Sequence, residues 1–286
     1  MRGNLRITQP MESEIREVWA SEWDQALASL ARAAGDAGAL HQARKSLKRL
    51  RALIRFSKQA WGRETRSIDR ELGAIARGVS PYRDADVLDL RLAQLTRLSE
   101  APTEQADASW GRLLSGEKPA LADREVAMQT AADALRKLGQ RVAVIPMRPF
   151  NCEDGRMALQ RSYRRTRRAG RDWQKRRDEE RLHDWRKAVK GLMLHVVFTQ
   201  TWGRAGWHTF RRELARMDQC LGDARDDFML EQLLANCREE SDTVAVMDDL
   251  RAKVRKRGRR NLRNARRLEA RLFRAKSKAF PAVAMR

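Results

Sequence analysis

The sequence contains few cysteines and few tyrosines. Of its 286 residues, three are cysteine and two are tyrosine. Cys152, Cys220 and Cys237 are an odd number and form no closely spaced pairs, so neither a disulfide framework nor a zinc ribbon is indicated. We therefore expect a reduced, cytoplasmic protein without a structural metal or other cofactor.

Long apolar runs are also absent. No segment approaches the roughly 18 consecutive apolar residues of a transmembrane helix, and the N-terminus lacks the apolar core of a signal peptide. The most apolar stretch, 192–201, covers only about half a membrane span. These features predict a soluble protein with no membrane partner.

Strand signals are scarce, whereas Ala, Leu, Arg, Glu and Lys recur at helical spacing. Proline and glycine predict breaks between helices at Pro10, 35–38, Trp61-Gly62, Ser80-Pro81, Pro102, 116–119, 146–151, 202–206 and Gly222. The segments between these breaks predict an all-α protein made of two helical bundles, with about four to five helices in each.

The segment 146–151 is the strongest candidate for a boundary between the two bundles, because it is rich in proline. The predicted organisation is an N-terminal tail at 1–10, a first bundle at 11–145, a linker at 146–151, a second bundle at 152–276 and a C-terminal tail at 277–286.

What the chain has in excess is positive charge. Lys and Arg number 60 against 38 Asp and Glu, which gives a formal charge of +22. Such an excess destabilises a compact protein by self-repulsion, and a polyanionic partner would relieve it. Composition alone does not distinguish DNA, RNA, an anionic membrane or a phosphate polymer as that partner.

Two segments of the chain repeat each other. The segment that begins H-Q-A-R-K-S-L-K at His41 matches the segment that begins H-D-W-R-K-A-V-K at His183, at an offset of 142 residues. A second block, Glu71-Leu72 and Arg83-Asp84, matches Glu213-Leu214 and Arg225-Asp226 at the same offset. Two blocks that share one offset indicate duplicated halves, and we predict a pseudo-twofold axis between them.

Each repeated segment separates into two faces when it is placed on a helix at about 100° per residue. In the first, Arg44, Lys45, Lys48 and Arg55 lie within about 60° of His41, and Ala43, Leu47, Leu50, Leu53 and Ile54 lie on the opposite face. In the second, His183, Arg186, Lys187 and Lys190 are opposed by Trp185, Ala188, Val189, Leu192 and Val196. The second basic stripe is shorter, because Leu194 and Val197 occupy its continuation.

The two basic stripes predict an anion site. A solvated helix face usually mixes charges of both signs, but neither stripe contains an acid. A merely solvated face remains the alternative for either stripe taken alone. Beside a phosphate the imidazoles of His41 and His183 would gain charge-assisted hydrogen bonds, and their pKa values would rise.

Arg83 and Arg225 form a second candidate constellation. Ser80-Pro81 and Gly222-Asp223 resemble helix starts, which would place each arginine near the positive end of a helix dipole. Each arginine could simply pair with a neighbouring aspartate. Alternatively, an aspartate could orient the guanidinium toward a phosphate, which arginine binds in a bidentate manner.

The C-terminal segment has the highest density of charge. Residues 251–286 contain 15 Lys or Arg and a single acid, Glu269. The residues that recur every three to four positions and could face the same cleft are Arg255, Arg259, Arg263, Arg266 and Arg267. Another cluster precedes the second histidine segment at 164–168.

The paired His-x-x-Arg-Lys-x-x-Lys helices, each followed by a leucine and an Arg-Asp pair, resemble the conserved histidine α-helical domain (CHAD) family over about residues 11–276. This resemblance implies two helical bundles around a basic central pore that binds inorganic polyphosphate, and association with polyphosphate granules. The residues implied as ligands are His41, Arg44, Lys45, Lys48, Arg51, Arg83, His183, Arg186, Lys187, Lys190 and Arg225. Arg55 extends the first stripe, and Arg255, Arg259 and Arg263 are the added candidates from the C-terminal segment.

The chain departs from the family pattern in two ways. Gly191 and Met193 replace the basic residues found at Arg49 and Arg51, so the second half offers fewer cations. Many relatives also carry a triphosphate-tunnel enzyme domain with a Glu-x-Glu-x-Lys strand. Here Glu12-Ser-Glu14-Ile-Arg16 lies in a helical stretch, and we expect this copy to stand alone.

Two other functions compete with polyphosphate binding. A nucleic-acid-binding protein would add aromatic stacking platforms or a recognition motif, and neither is evident, so nucleic acid is the less favoured partner. A phosphate-transferring enzyme would need clustered carboxylates for Mg²⁺ or a nucleophile with a base. His41 or His183 as a phosphorylated nucleophile is conceivable, but the motifs favour a non-enzymatic binding protein.

Overall fold

The computed structural model describes residues 11–83, 85–86, 121–199, 205–235, 244–275 and 280. Within these ranges the chain is helical and contains no strand. The α-helices are α1 (Met11–Leu30), α2 (Ala37–Phe56), α3 (Lys58–Trp61), α4 (Thr65–Gly78), α5 (Leu121–Ala143), α6 (Cys152–Arg176), α7 (Glu179–Phe198), α8 (Ala205–Ala235) and α9 (Val244–Leu272), with a short 3-10 helix at Gly62–Glu64. The predicted all-α class is confirmed.

Side-chain caps explain where three of the helices begin. Asp36 accepts a hydrogen bond from the backbone of Gly38 at 2.7 Å and starts α2. Asn151 and Asp154 form a reciprocal capping box at the start of α6. Asp178 accepts from a backbone N–H three residues along at 2.8 Å and starts α7. Each cap satisfies a backbone donor that the first helical turn leaves unpaired, which typically stabilises the helix by about 1 kcal/mol.

Most of the predicted breaks that fall on described residues coincide with helix ends. The chain leaves the helix before Asp36, at Gly62 and between Ala143 and Cys152. Gly62 has a φ of 58°, a left-handed conformation that glycine adopts at little cost. Helix α4 ends at Gly78, and residues from Ser80 onward are helical again. The breaks predicted at Pro10, Pro102 and 116–119 lie outside the described residues.

The break predicted at Gly222 is wrong. Helix α8 runs without interruption from Ala205 to Ala235, and Gly222 is buried inside it. A Cβ atom at Gly222 would lie 3.3 Å from Nη2 of Arg186 on α7. The glycine therefore serves a close approach between two helices. Consequently Asp223 is not an N-cap, and Arg225 lies in the middle of a helix instead of near its start.

The helices of each half pack in the same cyclic order. In the first half α2 lies between α1 and α4, and α5 packs against both α4 and α1. In the second half α7 lies between α6 and α8, and α9 packs along α8. Helix α9 also reaches α6, where Phe273 just beyond its end lies 4.9 Å from Tyr163 between ring centroids. The pseudo-twofold axis itself stays a prediction.

The apolar faces predicted for the two repeated segments are buried. On α2 these residues are Ala43, Leu47, Leu50, Leu53 and Ile54, and on α7 they are Trp185, Ala188, Val189, Leu192 and Val196. Full burial of a large aliphatic side chain typically contributes about 1.5–3 kcal/mol. Because the apolar face of each helix points into its bundle, the opposite face with its cations remains outside the core.

Aromatic contacts join the two halves. Phe56 at the end of α2 lies 5.8 Å from Phe150, 6.2 Å from Phe198 and 5.2 Å from the imidazole of His195, measured between ring centroids. Nε2 of His195 is 3.1 Å from the carbonyl oxygen of Ala52. These contacts hold α2 beside α7, so that the two repeated helices meet.

The hydrogen bonds of His195 define its protonation state. A carbonyl oxygen only accepts, so Nε2 must carry the proton that it donates to Ala52. Nδ1, 2.6 Å from the hydroxyl of Ser162, then accepts from that hydroxyl. Burial lowers the pKa of His195 to about 4, which keeps the imidazole neutral in this interface.

The predicted domain limits lie close to helix ends. Helix α5 ends at Ala143 and α6 begins at Cys152, on either side of the predicted linker. The N-terminal tail 1–10 and most of 277–286 lie outside the described residues. Phe280, within the predicted C-terminal tail, is buried and stacks on Tyr163 at 4.1 Å, so this residue contributes to the second core. No helix among the described residues has the length and apolarity to cross a membrane.

Candidate anion-binding cleft

Helices α2 and α7 bring their basic stripes to a common cleft. Each helix buries its apolar face in its own bundle, and the contact between the two helices places their polar faces side by side. As a result, the positive charges of Lys190 and Arg186 on α7 act on Lys48 of α2. The predicted convergence of the two histidine helices is therefore present in the geometry.

Lys48 is the residue that best reports this convergence. Its side chain is open to solvent, yet the surrounding protein restricts the water around the ammonium group and lowers its pKa to about 8. The charges of Arg44, Lys190 and Arg186 lower the pKa further, and only Asp218 on α8 opposes them. Cations from both halves thus repel one another across the cleft.

His41 lies at the head of the α2 stripe. Desolvation lowers its pKa, followed by the charges of Arg83, Lys48, Lys45 and Lys190. Without an anion, the imidazole is therefore mostly neutral at pH 7. The structure brings Arg83 beside His41, as the order of the repeated motifs suggests.

His183 occupies the matching position on α7. Desolvation, Arg225 and Lys187 lower its pKa to about 4, while Asp184 raises it and Arg186 adds a smaller lowering effect. Its Nδ1 atom is buried and has no hydrogen-bond partner among the described residues. The histidine and arginine of the second half are thus neighbours, as in the first half.

Further polar atoms in the second half lack partners. Within the described part of the chain, the buried Nε atoms of Arg186 and Arg225 donate to nothing. Asp218 accepts from Lys190 at 3.2 Å through Oδ2, but its buried Oδ1 accepts nothing there. A buried donor without an acceptor costs about 1–3 kcal/mol, so this wall of the cleft favours an added anion that accepts hydrogen bonds.

Arg44 is anchored at the end of α4. Its Nη1 donates to the carbonyl oxygen of Ala76 at 3.3 Å and to the hydroxyl of Ser80. In the second half, Arg186 lies against Gly222. Ser80 and Gly222 are related by the same offset of 142 residues as Arg44 and Arg186. Both arginines are therefore positioned by equivalent points of the neighbouring helix.

Two of the predicted ligands are engaged elsewhere. Arg51 donates to Asp69 of α4 at 2.9 Å, and Arg55 donates to the other oxygen of the same carboxylate at 2.8 Å. The far end of the first stripe is therefore partly neutralised. Sequence reasoning considered the acids on α2 alone and missed Asp69, which lies on a different helix.

Asp218 was also missed. It lies four residues before Gly222 and seven before Arg225, so all three share one face of α8. That spacing was the available signal, but the predicted break at Gly222 obscured it. Lys45 and Lys187 remain exposed, and Lys187 lies 3.7 Å from Asp184 on its own helix.

The C-terminal candidates are distributed differently from the prediction that they share the cleft. Arg255 donates to Glu231 of α8 at 2.7 Å. Arg263 lines a cavity between α9 and α6 together with Arg167 and Arg171. Arg259 is exposed on α9. Nothing in these contacts connects the three residues to the α2–α7 cleft.

Carboxylates in the cleft are isolated from one another. Asp218 faces Lys190, and Asp184 faces Lys187. Among the residues that the structure describes, no three His, Cys, Asp or Glu side chains come close enough together to hold a metal ion. The arrangement in the cleft presents cations and hydrogen-bond donors, a combination suited to an anion with many acceptor oxygens.

Together, the fold and the cleft define a helical-bundle protein in which two halves share a basic groove. A family model described as the CHAD domain matches residues 17–235, which is most of the chain, and the chain belongs to that family. The resemblance inferred from the two histidine motifs is confirmed.

One solved structure extends this comparison. The crystal structure of the CHAD domain from the plant Ricinus communis is similar to this chain over 97% of its length and 96% of the other chain, with a TM-score of 0.66 and 15% identity. At that identity the likeness shows the fold. No curated protein matches the sequence significantly.

Proposed function

We propose that this protein binds inorganic polyphosphate, without catalysis, in the cleft between α2 and α7. The observation that carries the proposal is the environment of Lys48, whose pKa is lowered to about 8 with cations from both halves among the causes. A site that concentrates positive charge in this way gains free energy when a polyanion enters and neutralises it.

The chemistry of polyphosphate matches such a cleft. The polymer carries about one negative charge per phosphate and offers acceptor oxygens along its whole length, so binding would release counterions as in nucleic-acid complexes. The unpartnered Nε atoms of Arg186 and Arg225 would gain acceptors. The imidazoles of His41 and His183 would become protonated beside the phosphates, because a nearby negative charge raises their pKa.

The contacts rank the candidate ligands. The central group would be formed by His41, Arg44, Lys45, Lys48, Arg83, His183, Arg186, Lys187, Lys190 and Arg225. Arg51 and Arg55 would contribute less, because each already shares Asp69. Arg255 would contribute little, because Glu231 pairs with it.

The direct test is a titration of the full chain with polyphosphates of increasing length at two salt concentrations. We expect the affinity to rise with chain length until the cleft is filled and to fall steeply with salt, because each phosphate contact displaces a counterion. An affinity that is independent of both chain length and salt would contradict the proposal.

Nucleic acid is the main competing ligand. Its single-stranded forms are usually held by exposed aromatic platforms. The tryptophans among the described residues are all buried, namely Trp19, Trp23, Trp61, Trp173, Trp185 and Trp207. We therefore expect single-stranded or duplex DNA not to displace long-chain polyphosphate at an equal concentration of charge. Displacement at comparable concentration would favour nucleic acid instead.

The absence of catalysis is a proposal with its own test. Phosphate release is measured after incubation with long-chain polyphosphate and Mg²⁺, for the unmodified chain and for His41→Ala. We expect no sustained release from either. Turnover that disappears in His41→Ala would make His41 a catalytic nucleophile and would overturn the non-enzymatic assignment.

We also propose a cytoplasmic protein that is recruited to polyphosphate granules. The expected observation is co-localisation of a fluorescently labelled chain with the granules, lost in a variant that carries Lys48→Glu and Arg186→Glu. Granule localisation that survives in this variant would indicate recruitment by another surface.

A further inference from the structure

A second basic cavity lies on the far side of the second bundle. It measures about 530 Å³ and is formed by α6 on one side and by α9 on the other. Helix α9 packs along α8 and touches α6, whereas the cleft lies between α2 and α7. The cavity is therefore separated from the cleft by the body of the second bundle.

Five arginines line this cavity, and lysine is absent from the lining: Arg167, Arg171, Arg263, Arg266 and Arg267. Within the described ranges, none of the five forms an ion pair with a carboxylate. Other arginines on or near the same helix do form such pairs, because Arg257 donates to Asp227 at 2.7 Å and Arg271 contacts Glu213. The lack of counterions is thus a property of this cavity and not of α9 as a whole.

Glu269 is the acid that lines the cavity, and it is used for packing. Its Oε2 accepts from Gln174 at 2.7 Å, and burial raises its pKa. The carboxylate lies so close to Gly170 that a Cβ atom there would collide with it. Arg266 and Arg171 influence it only from beyond ion-pair distance. Glu269 therefore ties α9 to α6 and leaves the guanidinium groups uncompensated.

The lining favours phosphate over other anions. Guanidinium groups bind phosphate oxygens in a bidentate manner, so arginine is preferred where such oxygens must be held firmly. The aromatic residue of the cavity, Phe273, is buried against Tyr163 and offers no platform on which a nucleobase could stack.

The basic surface continues over the ridge of α9. Arg267 also lines a neighbouring cavity of about 470 Å³ between α8 and α9, to which Arg216 contributes. A ligand that bridges both cavities would be elongated. An unbranched run of phosphates has that shape and presents negative charge at every unit.

We propose that the arginine cavity between α6 and α9 is a second anion site, separate from the α2–α7 cleft, which binds a short unbranched run of phosphates. Its ligand is either a free oligophosphate or a segment of a longer polymer. The choice of phosphate rests partly on the proposed function, whereas the existence of the site does not. A chain with two such sites could hold one polymer at two points or connect two polymers.

The test uses calorimetric titration of the full chain with tetraphosphate and, separately, with long-chain polyphosphate. The unmodified chain should bind tetraphosphate at two classes of site. Arg263→Gln with Arg266→Gln should weaken one class roughly tenfold or more, because charge-assisted hydrogen bonds are lost. A matched control on the same helix, Lys256→Gln with Arg260→Gln, removes the same charge from exposed positions outside the cavity lining and should change little.

A second variant protects the test against misfolding. Ala270→Glu keeps all the arginines and exchanges one good helix former for another, while it places a carboxylate in the cavity lining. It should weaken the same class of site, with unchanged helix content by circular dichroism. If both cavity variants bind tetraphosphate like the control, the second site does not exist, and the cleft proposal is unaffected.

A cleft variant, Arg44→Gln with Lys48→Gln, separates the two proposals. It should lose the other class of site and retain tetraphosphate binding in the arginine cavity. If it loses nothing while the cavity variants lose all binding, the cleft proposal fails and the arginine cavity stands.

Competition then defines the ligand. Displacement of tetraphosphate from the arginine cavity by long-chain polyphosphate identifies a polymer segment as the ligand, and failure to displace it identifies a free oligophosphate. If single-stranded DNA or a glutamate-rich peptide displaces tetraphosphate at equal charge concentration, the assignment to phosphate is wrong.

Discussion

Helices α2 and α7 carry the same histidine motif but differ in how much of their charge is available. The α2 stripe is longer, yet Asp69 pairs with both Arg51 and Arg55 at its far end. The α7 stripe ends at Lys190, but Arg186 beside it has a buried Nε without a partner in the described part of the chain. The extra charges of α2 are therefore largely engaged within the protein, and the two helices offer the cleft similar lengths of free cationic surface.

This difference shows that a count of basic residues overestimates a binding surface. A carboxylate on a neighbouring helix can neutralise two arginines, as Asp69 does, while a glycine such as Gly222 can leave an arginine without a counterion. The availability of a charge depends on what lies beside it in space. Four predictions test this comparison, in order of decreasing effect.

The largest effect is expected from charge reversal in the cleft. Arg44→Glu with Lys48→Glu should weaken long-chain polyphosphate binding about a hundredfold or more at low salt, because each lost charge-assisted contact costs about 1.5–3 kcal/mol. The matched control is Arg66→Glu with Arg70→Glu, two exposed arginines with the same spacing on α4. Affinity is measured by fluorescence anisotropy, with circular dichroism as a check on folding. Equal losses in both variants would mean that only net charge matters.

A milder pair of substitutions compares the two halves directly. Lys45→Gln with Lys48→Gln on α2, and Lys187→Gln with Lys190→Gln on α7, should each weaken binding by roughly tenfold, because both helices face the same cleft. The two dissociation constants are measured side by side at one salt concentration. A loss confined to the α2 variant would show that polyphosphate is held by the first half alone.

The third prediction concerns pH. In the free protein the pKa of His41 is lowered and that of His183 is lowered to about 4, so both imidazoles are mostly neutral at pH 7. A bound polyanion raises these pKa values, so binding takes up protons and the affinity should rise as the pH falls from 7.5 to 5.5, by roughly three- to tenfold.

The proton uptake is measured by calorimetry in buffers of different ionisation enthalpy. The control is His41→Gln with His183→Gln, which should flatten the pH dependence in this range. Affinity that falls as the pH is lowered would contradict a cleft in which these histidines gain charge beside phosphate. Above pH 8 Lys48, with its pKa of about 8, should lose its proton and weaken binding further.

The smallest effect is expected from the release of the paired arginines. Asp69→Asn should free Arg51 and Arg55 and strengthen polyphosphate binding by roughly two- to threefold, while it lowers the free energy of unfolding by about 0.2–1 kcal/mol for each lost ion pair. The control is Asp133→Asn, which frees Arg136 on α5 at a matching ion pair away from the cleft. Unchanged affinity in Asp69→Asn would place Arg51 and Arg55 outside the polymer's path.

Much of the fold and part of the candidate site can be read from local patterns. The alternation of faces on α2 and α7 correctly separates Leu47 and Trp185, which are buried, from the cations opposite them. The pairing of His41 with Arg83 and of His183 with Arg225 follows from the repeat, and each arginine acts on its histidine. Gly222 misled the same approach, because a glycine inside a helix has the same local signal as a helix end.

The sequence by itself determined the helical class, the boundary near 146–151 and the two-faced character of the repeated helices. These properties depend on residues within a few turns of one another, and helical periodicity and end caps act over that range. Only the tertiary structure decided which cations remain available, through Asp69, Asp218 and Gly222, and where α9 directs Arg263. Ion pairing and burial join residues far apart along the chain, and their strength depends on distances that appear only once the helices pack.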